Sequence, residues 1–302
     1  MVSFKSVYLE NGMRKVLTRL LMVMATLLVL GNLFAWNHAR GMLEFSQQTA
    51  KVIQPHNLSA LEKIKIALLG VDIPKPRNRK YPNDLGMPFK TCRFPNGRND
   101  TLEAWFVRGR ASWPIVILFH GYCGSKSFML PVARMFHGLG YSTFLVDFYG
   151  SGGSTGSSTS VGYFEANDVV ASFTYVRKNW PRQPILLYGY SMGGAAVLRA
   201  IFTAHIRPDG VVLESVFGRM LDAARNRMRS LGFQPFLASE LFVFWGSVQQ
   251  GFNGFRHNPV DYAKDIRCPT LILHGQKDVR VNESEARTLY HHIKGRKKLV
   301  VF

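Results

Sequence analysis

The sequence predicts an α/β fold with a mainly parallel sheet flanked by helices. Two patterns carry that expectation. From residue 114 onward, short and almost wholly apolar runs alternate with helical segments, and a strand buried on both faces reads as an unbroken apolar run. One of these runs, Ile185-Leu186-Leu187-Tyr188, passes directly into Gly189-Tyr190-Ser191-Met192-Gly193 and then into Gly194-Ala195-Ala196. In a G-x-S-x-G turn between strand and helix, flanking side chains would clash. The serine is lifted clear of the sheet, beside the unpaired N–H groups of the helix N-terminus. A purely structural turn is the rival reading. The strand before and the small-residue helix after favour a nucleophile at Ser191.

At 302 residues and 47% hydrophobic content, the chain has material for one large domain with appendages and is not a disordered protein. Its net charge of +19 is spread along the chain, with mild clusters at 75–80 and 90–98. No basic run is interleaved with aromatics, so no nucleic-acid partner is expected. Anionic lipid head groups, or simply a basic solvated surface, account for the charge. Cys92, Cys123 and Cys268 show neither metal-ligand spacing nor an even-numbered disulfide framework, so no metal site is expected and the cysteines read as small apolar residues.

Residues 1–19 form a basic tail, with Lys5, Arg14, Lys15 and Arg19 against Glu10. The uncharged run 20–39 would be about 30 Å long as a helix, enough to cross a bilayer core. Its apolar part ends at Trp36, a residue suited to the interface. With the positive flank preceding it, the expectation is a single-pass membrane anchor with the N-terminus cytoplasmic and the rest on the extracytoplasmic side. A cleaved signal is the alternative, but the apolar run is long and no clean small-x-small pattern precedes Ala35 or Ala39. Residues 40–88 read as a linker with one short amphipathic helix. Ser59 and Glu62 stand in capping-box spacing, Leu61, Ile64 and Leu68 form a stripe, and Gly70 and Pro74 end it.

The segment 89–302 holds the α/β domain. Runs 90–94 and 102–107, separated by Pro95-Asn96-Gly97, predict an antiparallel hairpin. Buried strands follow at 114–119, 142–148, 184–188, 211–216, 270–273 and 298–302, with helices at 128–139, 163–179 and after Ser191. Asn282 and Glu285 start a further helix and Gly295 ends it. The alternation breaks at about 218–258, which is rich in Phe and Trp. It reads as a small helical cap with an apolar pocket, or as core helices of the same domain.

Four stretches mark the strand ends: His120-Gly121-Tyr122, Asp147-Phe148-Tyr149-Gly150-Ser151-Gly152-Gly153-Ser154, the Ser191 turn, and His274-Gly275-Gln276-Lys277-Asp278. In their order and spacing, residues 90–302 resemble the α/β-hydrolase superfamily, and within it the membrane-anchored serine hydrolases of the Bem46 type. The resemblance implies an α/β-hydrolase fold, Ser191 as nucleophile, the backbone N–H groups of Tyr122 and Met192 as oxyanion hole, Asp278 as the catalytic acid, and no cofactor. Glu214 competes with Asp278, because some family members carry the acid after that earlier strand. His120 reads as structural. The glycines of 150–156 lack G-x-G-x-x-G spacing and a P-loop lysine, so phosphate cradling is not expected.

In the family the base follows the strand that here is 298–302. His291 and His292 fall off the stripe of Ala286, Leu289, Tyr290 and Ile293, and His257 borders the cap segment. The expectation is a chain cut short of its histidine loop and last helix, or a catalytically impaired hydrolase-fold binding or scaffold protein. Lipid-like acyl esters or thioesters are the expected substrates, with a serine peptidase as the other enzymatic possibility.

Overall fold

One sheet of eight strands, ordered β1-β2-β4-β3-β5-β6-β7-β8, organises the computed structural model, which describes residues 4–47, 70, 72–230 and 234–302. The hairpin β1 (Phe89–Pro95) and β2 (Thr101–Val107) is antiparallel, and β2 also pairs antiparallel with β4 (Ser142–Asp147). All remaining pairings are parallel, through β3 (Ile115–Phe119), β5 (Ile185–Tyr190), β6 (Gly210–Glu214), β7 (Thr270–His274) and β8 (Lys297–Val301). Strand order reverses around β3. The chain steps from β3 outward to β4, then crosses back to β5 on the other side, which opens a crevice at the C-terminal ends of β3 and β5. The sequence landmarks His120 and Ser191 follow those two ends.

The apolar runs become strands because both faces are covered. Along β3, Ile115, Ile117 and Phe119 enter one core cluster with Leu187, Val197 and Leu213, while Val116 and Leu118 enter another with Leu130, Leu145 and Tyr188. Every β3 side chain is fully buried, and each contributes about 2 kcal/mol of apolar burial. The covering helices are α2 (Leu130–Gly138), α3 (Glu165–Asn179) and α4 (Met192–Ala204). Residues 217–258 contain α5 (Met220–Ser230) and α6 (Ala238–Gln250), followed by α7 (Pro259–Tyr262) and α8 (Glu283–His292). The α8 start carries the Asn282/Glu285 capping box.

The first helix, α1 (Phe4–Leu43), extends beyond the run 20–39 at both ends. It has two environments. Between Met13 and Leu33 its large apolar side chains are exposed, and Gly12–Leu43 is long and apolar enough to cross a membrane. From Asn32 onward the helix docks on α6. Trp245 Nε1 donates to Asn32 Oδ1 (3.0 Å), Gln249 Nε2 donates to the Trp36 carbonyl (2.9 Å), and the Trp36 and Trp245 rings meet edge to face at 5.1 Å. Phe45 N then donates to the Ser157 carbonyl (2.6 Å), tying the end of the helix to the domain.

The helix expected from Ser59 lies outside the described residues. Residues 72–88, read from the sequence as linker, are laid against the sheet: Met87 is buried, Gly152 N donates to the Pro76 carbonyl (2.8 Å), and Asn78 Nδ2 donates to Asp147 Oδ2 (2.8 Å). Asp147 is the hub of a buried polar cluster. Lys126, fully buried beneath the Trp105 ring, bonds Asp147 and also Glu103 (2.9 Å). Burial disfavours the Asp147 carboxylate, but the Lys126 charge prevails and holds its pKa below the ordinary value.

Candidate active site

β5 ends at Tyr190, α4 begins at Met192, and Ser191 makes the turn between them with φ 50° and ψ −114°. A side chain in that region is strained, and only an over-determined turn keeps it there. The determinants are visible. Ser191 N donates to the Glu214 carbonyl on β6 (2.8 Å), and the Ser191 carbonyl accepts from Gly194 N (2.9 Å) and Ala195 N (3.1 Å). A Cβ on Gly189 would lie 2.5 Å from Gly194 Cα, and one on Gly193 would lie 2.5 Å from the Phe119 carbonyl oxygen. Two glycines therefore let helix, turn and neighbouring strand approach closely enough to present Ser191.

The loop after β3 reaches the same place. A Cβ on Gly121 would meet Tyr190 Cδ1 at 2.9 Å and Ser191 Cβ at 3.5 Å, so the Gly121-Tyr122 peptide lies beside the serine. Among the described residues, neither the Tyr122 nor the Met192 N–H donates to an acceptor, and Ser191 Oγ makes no hydrogen bond. His120 holds the loop in place: its ring nitrogens bond the Gly121 carbonyl (2.8 Å) and the Phe148 N–H (3.2 Å). Burial lowers its pKa, as suits a neutral ring that donates through Nδ1 and accepts at Nε2.

Ser191, Met192 and Tyr122 line a cavity of about 210 Å³ whose other walls are mostly apolar. Met228 from α5 and Phe242 and Val243 from α6 face it, and so do Ala39, Met42 and Leu43 from the end of α1. The Tyr122 hydroxyl donates to the Met42 carbonyl (2.7 Å), so the last turn of α1 touches the residue whose amide sits beside Ser191. The sequence reading did not place α1 in this site. The signal available was the polar Asn32 and the aromatic Trp36 within the apolar run, where docking begins.

The acids separate. Glu214 directs its carboxyl to the Tyr188 hydroxyl, and burial raises its pKa. Asp278 Oδ1 accepts the N–H groups of Arg280 (2.8 Å) and Val281 (3.1 Å), shaping a loop that contributes Arg280 and Val281 to the cavity wall. Neither carboxylate itself lines the cavity. His257 is a core residue: Nε2 faces the Val161 carbonyl and Nδ1 the Tyr262 hydroxyl, each at 3.2 Å, and burial lowers its pKa to about 3. His292 bonds the Thr288 carbonyl of its own helix (2.8 Å). Among the described residues, no histidine hydrogen-bonds Ser191.

A family model described as serine aminopeptidase, S33, matches residues 111–235, which span β3, the Ser191 turn and α5. Protein bem46 of Schizosaccharomyces pombe is 23% identical over 206 residues, covering 67% of this chain and 64% of that protein. The chain has an α/β-hydrolase fold and resembles the Bem46-type proteins within it. The lysophosphatidylserine lipase ABHD12 of Danio rerio is 24% identical over 192 residues, covering 62% of this chain. That match spans 49% of the lipase, so the chain corresponds to about half the length of this relative. Among solved structures, the esterase Pf2001 of Pyrococcus furiosus superposes with a TM-score of 0.64 at 26% identity, covering 76% of this chain and 87% of the esterase. In this α/β-hydrolase fold the crevice at the β3/β5 switch point and the Ser191 turn coincide, as the strand order requires.

Proposed function

We propose that this α/β hydrolase is a membrane-anchored serine hydrolase that cleaves carboxylic esters or thioesters of lipid-like acyl substrates through an acyl-enzyme on Ser191. One observation carries it: a strained serine and two unengaged backbone N–H groups share an apolar cavity whose wall includes the end of the apolar helix α1. Ser191 Oγ attacks the acyl carbonyl. The developing oxyanion is held by the Tyr122 and Met192 N–H groups, aided by the N-terminal dipole of α4, and each such donor contributes about 10²- to 10³-fold in rate. The alcohol or thiol leaves, and water then cleaves the acyl-enzyme. The mechanism needs a histidine imidazole that takes the Ser191 proton and returns it to the leaving alcohol or thiol, with Asp278 as the carboxylate that would orient it. Among the described residues, no histidine hydrogen-bonds Ser191.

Helices α5 and α6 act as a cap over the acyl chain. The exposed part of α1 lies in the bilayer, with Arg14, Lys15 and Arg19 on the cytoplasmic side and the hydrolase domain on the opposite side. The names of the relatives, a lysophosphatidylserine lipase and an esterase, support an ester of a single-chain lipid. A fluorophosphonate probe applied to membranes carrying the full chain tests the assignment. Wild type should label and Ser191→Ala should not. Equal labelling of the two refutes Ser191 as nucleophile.

A further inference from the structure

The Ser191 cavity is apolar on most sides, yet two guanidinium-bearing residues line it: Arg227 from α5 and Arg280 from the loop after β7. They come from separate elements and converge near the oxyanion loop. Cys123, the residue after Tyr122, reports both of them. Its thiol is solvent-exposed; the surrounding protein raises its pKa, and the charges of Arg227 and Arg280 both act on it, each lowering the pKa against that effect. Among the described residues, neither arginine has a carboxylate within ion-pair distance.

The carboxylates on the surrounding elements are engaged elsewhere. Asp222 and Glu240 both pair with Arg225 (3.7 and 2.6 Å). Glu285 accepts Gly218 N and Asn226 Nδ2, each at 2.9 Å, and Asp278 accepts the backbone of its own loop. Arg280 is exposed and Arg227 half-buried, so the two positive charges edge the apolar cavity where solvent still reaches them, with no protein carboxylate paired to either among the described residues. Solvated guanidinium groups of this kind stand at little cost when empty, and an anionic group at the edge of the apolar cavity would gain charge-assisted hydrogen bonds from both. Planar guanidinium groups match phosphate oxygens bidentately, a geometry an ammonium cannot offer.

We propose that Arg227 and Arg280 form a head-group subsite for the phosphate of a single-chain phospholipid, whose chain lies against Met42, Leu43 and Phe242 while its ester reaches Ser191. This rests on the lipid-ester reading above, and it adds the charge of the head group and the residues that select it.

Binding of uncleavable ether lipids tests the subsite apart from catalysis. The full chain in neutral detergent micelles is titrated with a 1-O-alkylglycerol phosphate, the matching neutral 1-O-alkylglycerol, and glycerol 3-phosphate. The phosphate ether should bind at least about tenfold more tightly than the neutral ether. That preference should fall about tenfold in Arg227→Gln and in Arg280→Gln, and Arg280→Lys should restore only part of it. Ser191→Ala should keep the preference, so a failed nucleophile assignment leaves this result intact. Arg182→Gln, on an exposed turn before β5 at the opposite end of the sheet, should keep it too. Equal affinity for the two ethers overturns the subsite. So does a preference that survives both arginine substitutions, or one lost equally in Arg182→Gln, which would make it an effect of net charge. Glycerol 3-phosphate binding as tightly as the phosphate ether would overturn the lipid as ligand in favour of free phosphate. If neither ether binds, the lipid cavity and the subsite fall together.

Discussion

Gly193→Ala should disable the Ser191 turn through one methyl group. The added Cβ would lie 2.5 Å from the Phe119 carbonyl oxygen and 2.8 Å from that of His120, both rigid backbone atoms at the end of β3. An ordinary carbon–oxygen contact needs more than about 3 Å, so α4 or the β3 end must shift by several tenths of an ångström. Overpacking of this kind costs about 1–3 kcal/mol. The shift also separates Ser191 from the Tyr122 amide, since the two sit on the elements being pushed apart, and a displacement approaching 1 Å lowers turnover by about 100-fold. Urea denaturation gives the first quantity and ester hydrolysis or fluorophosphonate labelling rate the second. Gly138→Ala is the internal control. A Cβ there would meet no atom within 4 Å and its φ is not positive, so at the end of α2 the substitution should stabilise by a few tenths of a kcal/mol, up to about 0.5. If Gly193→Ala unfolds within about 0.5 kcal/mol of wild type and keeps its labelling rate, the close approach described for the turn is wrong.

Three further outcomes are expected. Lys126→Met should destabilise by about 3–5 kcal/mol in urea denaturation, because it strands the buried Asp147 carboxylate without its partner; a loss under about 1 kcal/mol would contradict the cluster as described. Asp168, buried where it accepts Tyr149 N and Asn96 Nδ2, has its pKa raised by burial from 3.8 to about 7. A folded-state pKa above the unfolded one means its contribution is complete below the unfolded value and is lost as pH rises through about 7, a total of about 4 kcal/mol. Asp168→Asn should therefore flatten the fall in stability between about pH 4 and pH 8, and parallel wild-type and variant profiles would refute it. Ala39→Trp, on the α1 wall of the cavity, should shift binding of neutral alkylglycerols toward shorter chains, whereas Leu27→Trp on the exposed part of α1 should not; identical chain-length profiles would remove α1 from the pocket wall.

The strands and the Ser191 turn were legible because their signals are local. Ile115–Phe119 is apolar at every position, and only a strand covered on both faces uses such a run. Gly189 and Gly193 announce a backbone approach that no side chain tolerates. Asn282 and Glu285 cap α8 through groups three residues apart. Segment ends moved by a few residues, as at α3, which begins at Glu165 rather than Tyr163, since apolar periodicity does not fix where hydrogen bonding starts. Residues 72–88 were harder: proline and basic residues suggest a linker, but their contacts with Asp147 and Gly152 arise only when distant chain segments meet.

The sequence by itself determined an apolar N-terminal helix, an alternating α/β domain and a serine in a glycine-flanked turn, because each is written in neighbours along the chain. Tertiary structure alone decided which surfaces meet at that serine. Met42 reaches Tyr122 across 80 positions of chain, Arg227 and Arg280 converge from different elements, and the Glu214 carboxyl is taken by Tyr188. No periodicity encodes those meetings; they follow from the strand order, which brings the ends of β3, β5 and β7 to one rim and lays the last turns of α1 across it.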